Sequence, residues 1–165
     1  MSDVEIRPYD PDDDRTALWR LKRAFETDLG ADTGDESKAD RYARKLTDEY
    51  RTRWLAWVDR CIADDERCVT LATNGEEAIG YVFVLPERLA FVWDAAVVNE
   101  LYVVPGRRGT GVADGLLDAA VALARQQQLP LDRLVLDVDP DNERAYAFYS
   151  KHGFEPWGEI VAREL

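Results

Sequence analysis

The chain has 165 residues, 46% of them hydrophobic, which fits one domain with one core spanning 1–165. Its formal net charge of −12 is opposite to what a surface needs to displace counterions from nucleic acid, so no nucleic-acid partner is expected. No apolar run is long enough to span a bilayer, and the start, Met1-Ser2-Asp3-Val4-Glu5, has neither the basic nor the apolar region of a secretion signal; no membrane partner and a cytoplasmic location are expected.

The first element is an alternating strand at residues 4–8, followed by a turn and helix cap over 11–14. A helix is predicted over 15–28, with Leu18, Leu21, Phe25 and Leu29 on one face and Gly30 as its stop. Residues 31–37 read as a loop. A second helix is predicted over 38–63, its apolar stripe carrying Tyr42, Leu46, Tyr50, Trp54, Trp57 and Cys61. Residues 68–72 and 78–85 are strands joined through Asn74-Gly75, a hairpin signal because both residues tolerate positive φ. Residues 91–104 read as a long extended segment. A helix then buries Val112, Leu116, Ala120 and Leu123 and ends near Gln128, ahead of Pro130. Residues 134–138 form a compact apolar strand, Asp141 or Asn142 caps a last helix, and 154–165 hold two short final strands. Cys61 and Cys68 form no C-x-x-C pair and lie far in sequence from the single His152, so no metal is expected and the two thiols are read as reduced.

Two stretches carry chemistry. In Val103-Val104-Pro105-Gly106-Arg107-Arg108-Gly109-Thr110-Gly111-Val112-Ala113 an apolar strand passes through a glycine-rich arginine turn into a helix. Glycines let backbone N–H groups converge on an anion at a helix N-terminus, where the dipole also favours negative charge. The turn lacks the Lys-Ser or Lys-Thr pair of a nucleotide phosphate loop, which argues against a nucleotide enzyme. The second stretch, Asn142 to Phe154, is a helix pattern closed by Gly153. His152 stands at that helix end, where a positive charge suits the dipole, and is assigned no catalytic role.

Together these stretches resemble the GNAT family of N-acetyltransferases. The family's Arg/Gln-x-x-Gly-x-Gly/Ala motif is matched by Arg108, Gly111 and Ala113, and its Asn-x-x-Ala-x-x-Phe-Tyr-x-x-x-Gly-Phe segment by Asn142, Ala145, Phe148, Tyr149, Gly153 and Phe154. The likeness covers roughly 78–158; earlier residues agree in element order alone. It implies an α/β fold with a mixed, mostly antiparallel sheet flanked by helices, in which parallel strands at 99–104 and 134–138 splay apart at a bulge. It also implies acetyl-CoA as co-substrate. Its diphosphate would lie on the backbone of Arg108, Gly109, Thr110, Gly111, Val112 and Ala113. Its acetyl carbonyl would be polarised by N–H groups around Tyr102, Val103 and Val104, and Asn142 would both cap its helix and touch the co-substrate.

By the same resemblance, Tyr149 gives a proton to the departing thiolate and Glu100 is the candidate general base, with Asp94, Asp137 and Asp139 as weaker candidates. Packing is the competing reading for Tyr149, and strand alternation leaves open which way Glu100 faces. Trp54, Trp57, Trp93 and Tyr81 could line an acceptor pocket, but large aromatics on amphipathic elements more often fill the core. The expected reaction moves an acetyl group to a primary amine of a small molecule or peptide. The alternative is a non-catalytic acyl-CoA sensor, which would not need Tyr149. Family members often dimerise through their final strands, so a homodimer stays open.

Lysine occurs only at 22, 38, 45 and 151, while runs such as Asp12-Asp13-Asp14 and Asp64-Asp65-Glu66 fill loop positions. Hydrated carboxylates with few lysines suit concentrated salt, where a charge field is screened within about 3 Å at 1 M. A halophilic host is therefore expected. Folding followed by circular dichroism should survive, or improve, from 0.1 M to molar KCl; loss of structure on raising salt would contradict this.

Overall fold

The computed structural model describes residues 3–32 and 36–165, with side chains described outside 30–39. Its strands are β1 (Val4–Pro8), β2 (Val69–Asn74), β3 (Glu77–Val84), β4 (Ala96–Val103) and β5 (Leu134–Val135). Its helices are α1 (Arg15–Asp32), α2 (Glu36–Lys45), α3 (Asp48–Asp64), α4 (Glu87–Ala90), α5 (Val112–Gln126) and α6 (Glu143–Lys151). The sheet order is β1-β2-β3-β4-β5; the first three pairings are antiparallel and β4–β5 is parallel.

Helices cover both faces of the sheet, which is why β3 is buried on both sides and reads as a continuous apolar run. On one face Tyr81, Phe83 and Tyr102 pack with Leu18 and Leu21 of α1 and Trp54 and Val58 of α3. On the other, Val82, Val84, Val98 and Val103 meet Val112, Leu116, Ala120 and Leu123 of α5. At the chain start, Arg7 holds both carboxylate oxygens of Asp14 at 2.7 and 2.9 Å, fixing β1 to the entrance of α1. This guanidinium keeps the Asp14 carboxyl below the usual range.

The register between β3 and β4 contains a bulge. Phe83 faces Glu100 but Val84 faces Val98, so Asn99 is an extra residue on β4. A bulge resets the side-chain alternation. Val97 and Glu100 therefore share the α1–α3 face, whereas Val98 and Leu101 belong to the α5 face. The β4–β5 pairing is confined to Ala96 with Leu134 and Val97 with Val135, and the two strands are unpaired beyond it.

Several expectations are corrected. α1 does not stop at Gly30 but runs to Asp32, and the loop expected over 31–37 is occupied by helix at Glu36 and beyond; its middle, 33–35, lies outside the described residues. The single helix expected over 38–63 is two, because Thr47 caps α3 through its hydroxyl to the N–H of Tyr50 at 3.1 Å. Residues 91–94 are a turn after α4, with Asp94 at φ 55°, so the extended segment begins at Ala96. β5 is shorter than 134–138. Residues 154–165 form no strand, and Ile160 and Val161 are exposed.

Cys61 and Cys68 are free and buried, and burial pushes their thiols up to about 11 and about 12. Gly80 marks the tightest packing in the sheet. A Cβ there would stand 2.7 Å from the Tyr102 carbonyl oxygen and 3.1 Å from Leu116 Cδ1. Gly80→Ala should lower unfolding free energy in urea by about 1–3 kcal/mol. Gly106→Ala, where a Cβ meets nothing within 4 Å, should be close to neutral.

Candidate functional site

Beyond β4 the chain makes a short 3₁₀ turn, Pro105–Arg107, closed by Arg107 N–H to Val104 O at 2.9 Å. Gly109 and Gly111 follow at φ 77° and 90°, where L side chains are strained, and a Cβ on either would meet nothing within 4 Å. Glycine is thus required by backbone conformation, and the space in front of it is open. Gly111 caps α5 without a side-chain hydrogen bond. Among the described residues, the N–H groups of Gly109, Thr110, Gly111, Val112, Ala113 and Asp114 have no acceptor in the chain; the helical ladder starts with Gly115 N–H to Gly111 O at 3.1 Å. Six consecutive amides at a helix N-terminus form a binding surface for an anion such as a diphosphate.

The Arg108 side chain turns back towards the sheet. Its Nε donates to Val103 O at 3.0 Å, its Nη2 to Asp28 Oδ2 at 3.1 Å, and its guanidinium lies 5.6 Å from the Tyr102 ring centre. The Tyr102 hydroxyl donates to the same Asp28 oxygen at 3.0 Å. Burial, then this bond, pushes the Tyr102 phenol up to about 12, against the pull of Arg108. Arg108 therefore shapes the turn, with its guanidinium engaged by Val103 O and Asp28. Thr110 likewise spends its hydroxyl locally, donating to Arg107 O.

The phase of β4 decides which amides face the space beside β5. Val104 N–H bonds Ile79 O of the β3 segment at 2.9 Å. Antiparallel alternation then directs the main-chain groups of Tyr102 and Glu100 to β3 as well, and those of Leu101 and Val103 to the opposite side, where β5 has diverged. Of the expected trio Tyr102, Val103 and Val104, the N–H of Val103 faces the gap. Leu101 joins it, a residue the sequence reading missed because nothing in the sequence locates the bulge that sets the phase.

Glu100 is buried on the α1–α3 face. Its Oε1 accepts from the Tyr81 hydroxyl at 2.7 Å; its Oε2 accepts from Lys22 Nζ at 2.8 Å and from Asn99 Nδ2 at 3.2 Å. Lys22 also bonds Glu26, whose other oxygen meets Lys45 Nζ at 2.8 Å. The Lys22 ammonium sits 5.1 Å from the Trp54 ring centre and 5.5 Å from that of Phe25. Burial alone would lower the Lys22 pKa, but Glu100 and Glu26 outweigh it and raise it above the ordinary lysine range. Burial and Glu100 together hold the Tyr81 phenol far above its ordinary range. The candidate base is thus already engaged in a buried network in which two carboxylates meet two ammonium groups.

Asn142 caps α6, its Oδ1 accepting from Ala145 N–H at 3.2 Å, while its Nδ2 has no partner among the described residues. Tyr149 is buried, its ring 5.3 Å from Phe148 and 5.5 Å from Phe154, and its hydroxyl has no hydrogen-bond partner among the described residues. Burial, opposed by Arg144, pushes its phenol up to about 12. Asp139 accepts Asp141 N–H and Asn142 N–H at 2.9 Å and so builds the turn into α6. Asp94 and Asp137 are exposed. Trp54, Trp57 and Tyr81 belong to the core, and Trp93 is exposed on the turn before β4, so these aromatics line no common pocket.

The architecture is that of solved acetyltransferase structures. The fold superposes on AAC(6')-Iy in complex with the bisubstrate analogue CoA-S-monomethyl-acetylneamine, with a TM-score of 0.70 at 18% identity and 99% of each chain covered. It also superposes on the PaiA N-acetyltransferase of Thermoplasma acidophilum in complex with coenzyme A, with a TM-score of 0.62 at 18% identity, covering 93% of this chain and 90% of that one. In sequence, residues 30–154 match the acetyltransferase (GNAT) family, and the chain belongs to that family. A mycothiol acetyltransferase of Salinispora tropica is 27% identical over 170 residues, covering 90% of this chain and 54% of that protein. The chain spans about half the length of the curated relatives it matches first. Among the described residues, no helix is long and apolar enough to cross a membrane.

Lys22→Met leaves Glu26 and Glu100 buried without their shared cation and should cost about 3–5 kcal/mol in chemical unfolding. Lys22→Met combined with Glu26→Gln and Glu100→Gln should recover a large part of that loss. Because the native Lys22 pKa is raised, its contribution is fully present below the unfolded pKa of about 10.4 and is lost as pH rises through the native value.

Proposed function

We propose that the chain transfers an acetyl group from acetyl-CoA to a primary amine of a small molecule by direct attack in a ternary complex. The observation that carries this reading is the set of six unpaired amides from Gly109 to Asp114, placed directly after the strand whose Leu101 and Val103 amides face the β4–β5 gap. The diphosphate of the co-substrate lies on those amides, and its arm runs along the gap. The phosphate-binding turn leads into α5 on one sheet face, so the amine approaches from the α1 face. The likeness to mycothiol acetyltransferases favours a small-molecule acceptor over a polypeptide. The acid-rich, lysine-poor composition supports work in the cytoplasm of a salt-adapted host.

In the reaction the neutral amine attacks the thioester carbon, and the N–H groups of Val103 and Leu101 stabilise the oxygen as it gains charge. The carbon–sulfur bond breaks, and the Tyr149 hydroxyl donates its proton to the leaving thiolate. A phenol held at about 12 keeps that proton across the neutral range. With Glu100 bound by Lys22 and Tyr81, the amine loses its proton to water, and Glu100 serves as the fixed partner that anchors β4 at the bulge. The sensor alternative leaves Tyr149 without a task.

Gly111→Val should abolish acetyl-CoA binding in calorimetry. Tyr149→Phe should keep that affinity within about 3-fold while lowering thiol release, measured across an amine panel, by about 10²-fold. Unchanged affinity in the first variant would remove the amide cradle, and unchanged turnover in the second would make Tyr149 a packing residue. Turnover absent in the unaltered protein, with binding intact, would favour the sensor.

A further inference from the structure

His152 stands at the end of α6, where the chain closes in a Schellman turn. Phe154 N–H bonds Tyr149 O at 3.0 Å, Gly153 N–H bonds Ser150 O at 3.1 Å, and Gly153 takes φ 88°. The Phe154 ring packs on Tyr149, the apolar contact that accompanies this motif. The backbone of His152 is fixed by the same turn, its N–H bonding Tyr149 O at 3.0 Å. Its imidazole lies 4.6 Å from the Phe148 ring centre, and its Nε2 is 2.7 Å from Asp114 Oδ1.

Asp114 lies in the first turn of α5, and its own N–H is the last of the six unpaired amides. The contact therefore joins the closing turn of the helix that carries Tyr149 to the surface assigned to the diphosphate. It also sets a charge balance. A carboxylate in the first turn of a helix suits the dipole of the empty helix but opposes an anion arriving at the same amides. An imidazole bonded to that carboxylate weakens the opposition. Both side chains are partly exposed, at 25% for His152 and 43% for Asp114.

We propose that His152 is a positioning residue that latches the Tyr149 helix onto the phosphate-binding turn through Asp114. The latch rests on the assignment of the diphosphate to the Gly109–Asp114 amides.

Coenzyme A affinity is measured by calorimetry at one neutral pH for the unaltered protein, His152→Ala, His152→Gln, Asp114→Asn and the double variant Asp114→Asn with His152→Ala. His152→Ala should bind about 5–10-fold more weakly than the unaltered protein. His152→Gln, which keeps a side-chain donor, should recover most of that loss. In the Asp114→Asn background His152→Ala should change affinity by less than about 2-fold. Undiminished affinity in His152→Ala overturns the latch, and a full loss in the Asp114→Asn background overturns the pairing.

If His152→Ala fails to fold, His152→Ser takes its place in both backgrounds. Failure of the unaltered protein to bind coenzyme A would defeat the functional reading, whereas binding that none of the variants weakens defeats the latch alone.

Discussion

The pairing of β4 with β5 lasts for two residues on each strand and then ceases, and the functional geometry follows from that early end. Asn99, the extra residue of the bulge, tilts β4 away from its neighbour and leaves main-chain groups of Leu101 and Val103 without a ladder partner. An unmet buried amide or carbonyl costs about 1–3 kcal/mol. The chain offsets part of this with the Arg108 guanidinium on Val103 O. The remaining N–H groups are where a second molecule gains more than water offers. A similar deficit recurs at the start of α5, so unpaired donors stand at two places, the strand edge and the helix end.

The buried charge network on the other face keeps that edge in place. Lys22, Glu26, Glu100 and Lys45 sum to zero charge, and Tyr81 and Asn99 supply further donors to Glu100. Two of the four lysines in a lysine-poor chain are used here. Such a group is costly to desolvate and gains little net stability, but it tolerates few alternative arrangements. Its link to Asn99 and Glu100 ties α1 to the bulge residue itself, which fixes the register of β4 against β3.

Much of this was legible in the sequence. The glycine-arginine turn, the Asn142 cap and the Gly153 stop each depend on local backbone chemistry that a few residues specify. The Asn74-Gly75 hairpin and the α5 stripe were equally local. What escaped depends on partners far along the chain. The Tyr42, Leu46, Tyr50 and Trp54 stripe continues its spacing across the Thr47 cap, so periodicity alone concealed the break between α2 and α3. The bulge at Asn99 has no compositional mark, and without it neither the direction of Glu100 nor the choice of Leu101 and Val103 over Val104 was accessible. The inward turn of the Arg108 side chain also escaped, because its partners, Val103 O and Asp28, come from the preceding strand and a helix 80 residues away.

The seclusion of Cys61 and Cys68 acquires meaning beside this chemistry. An acyl transfer from a thioester liberates a free sulfhydryl at every cycle, and a surface cysteine in its thiolate form would exchange with the oxidised form of that product. Here both sulfur atoms lie in the core and stay protonated well above neutrality. Under the proposed reaction the folded protein would thereby be shielded from capture as a mixed disulfide, and a thiol-reactive dye added to the native chain would report released coenzyme with little background.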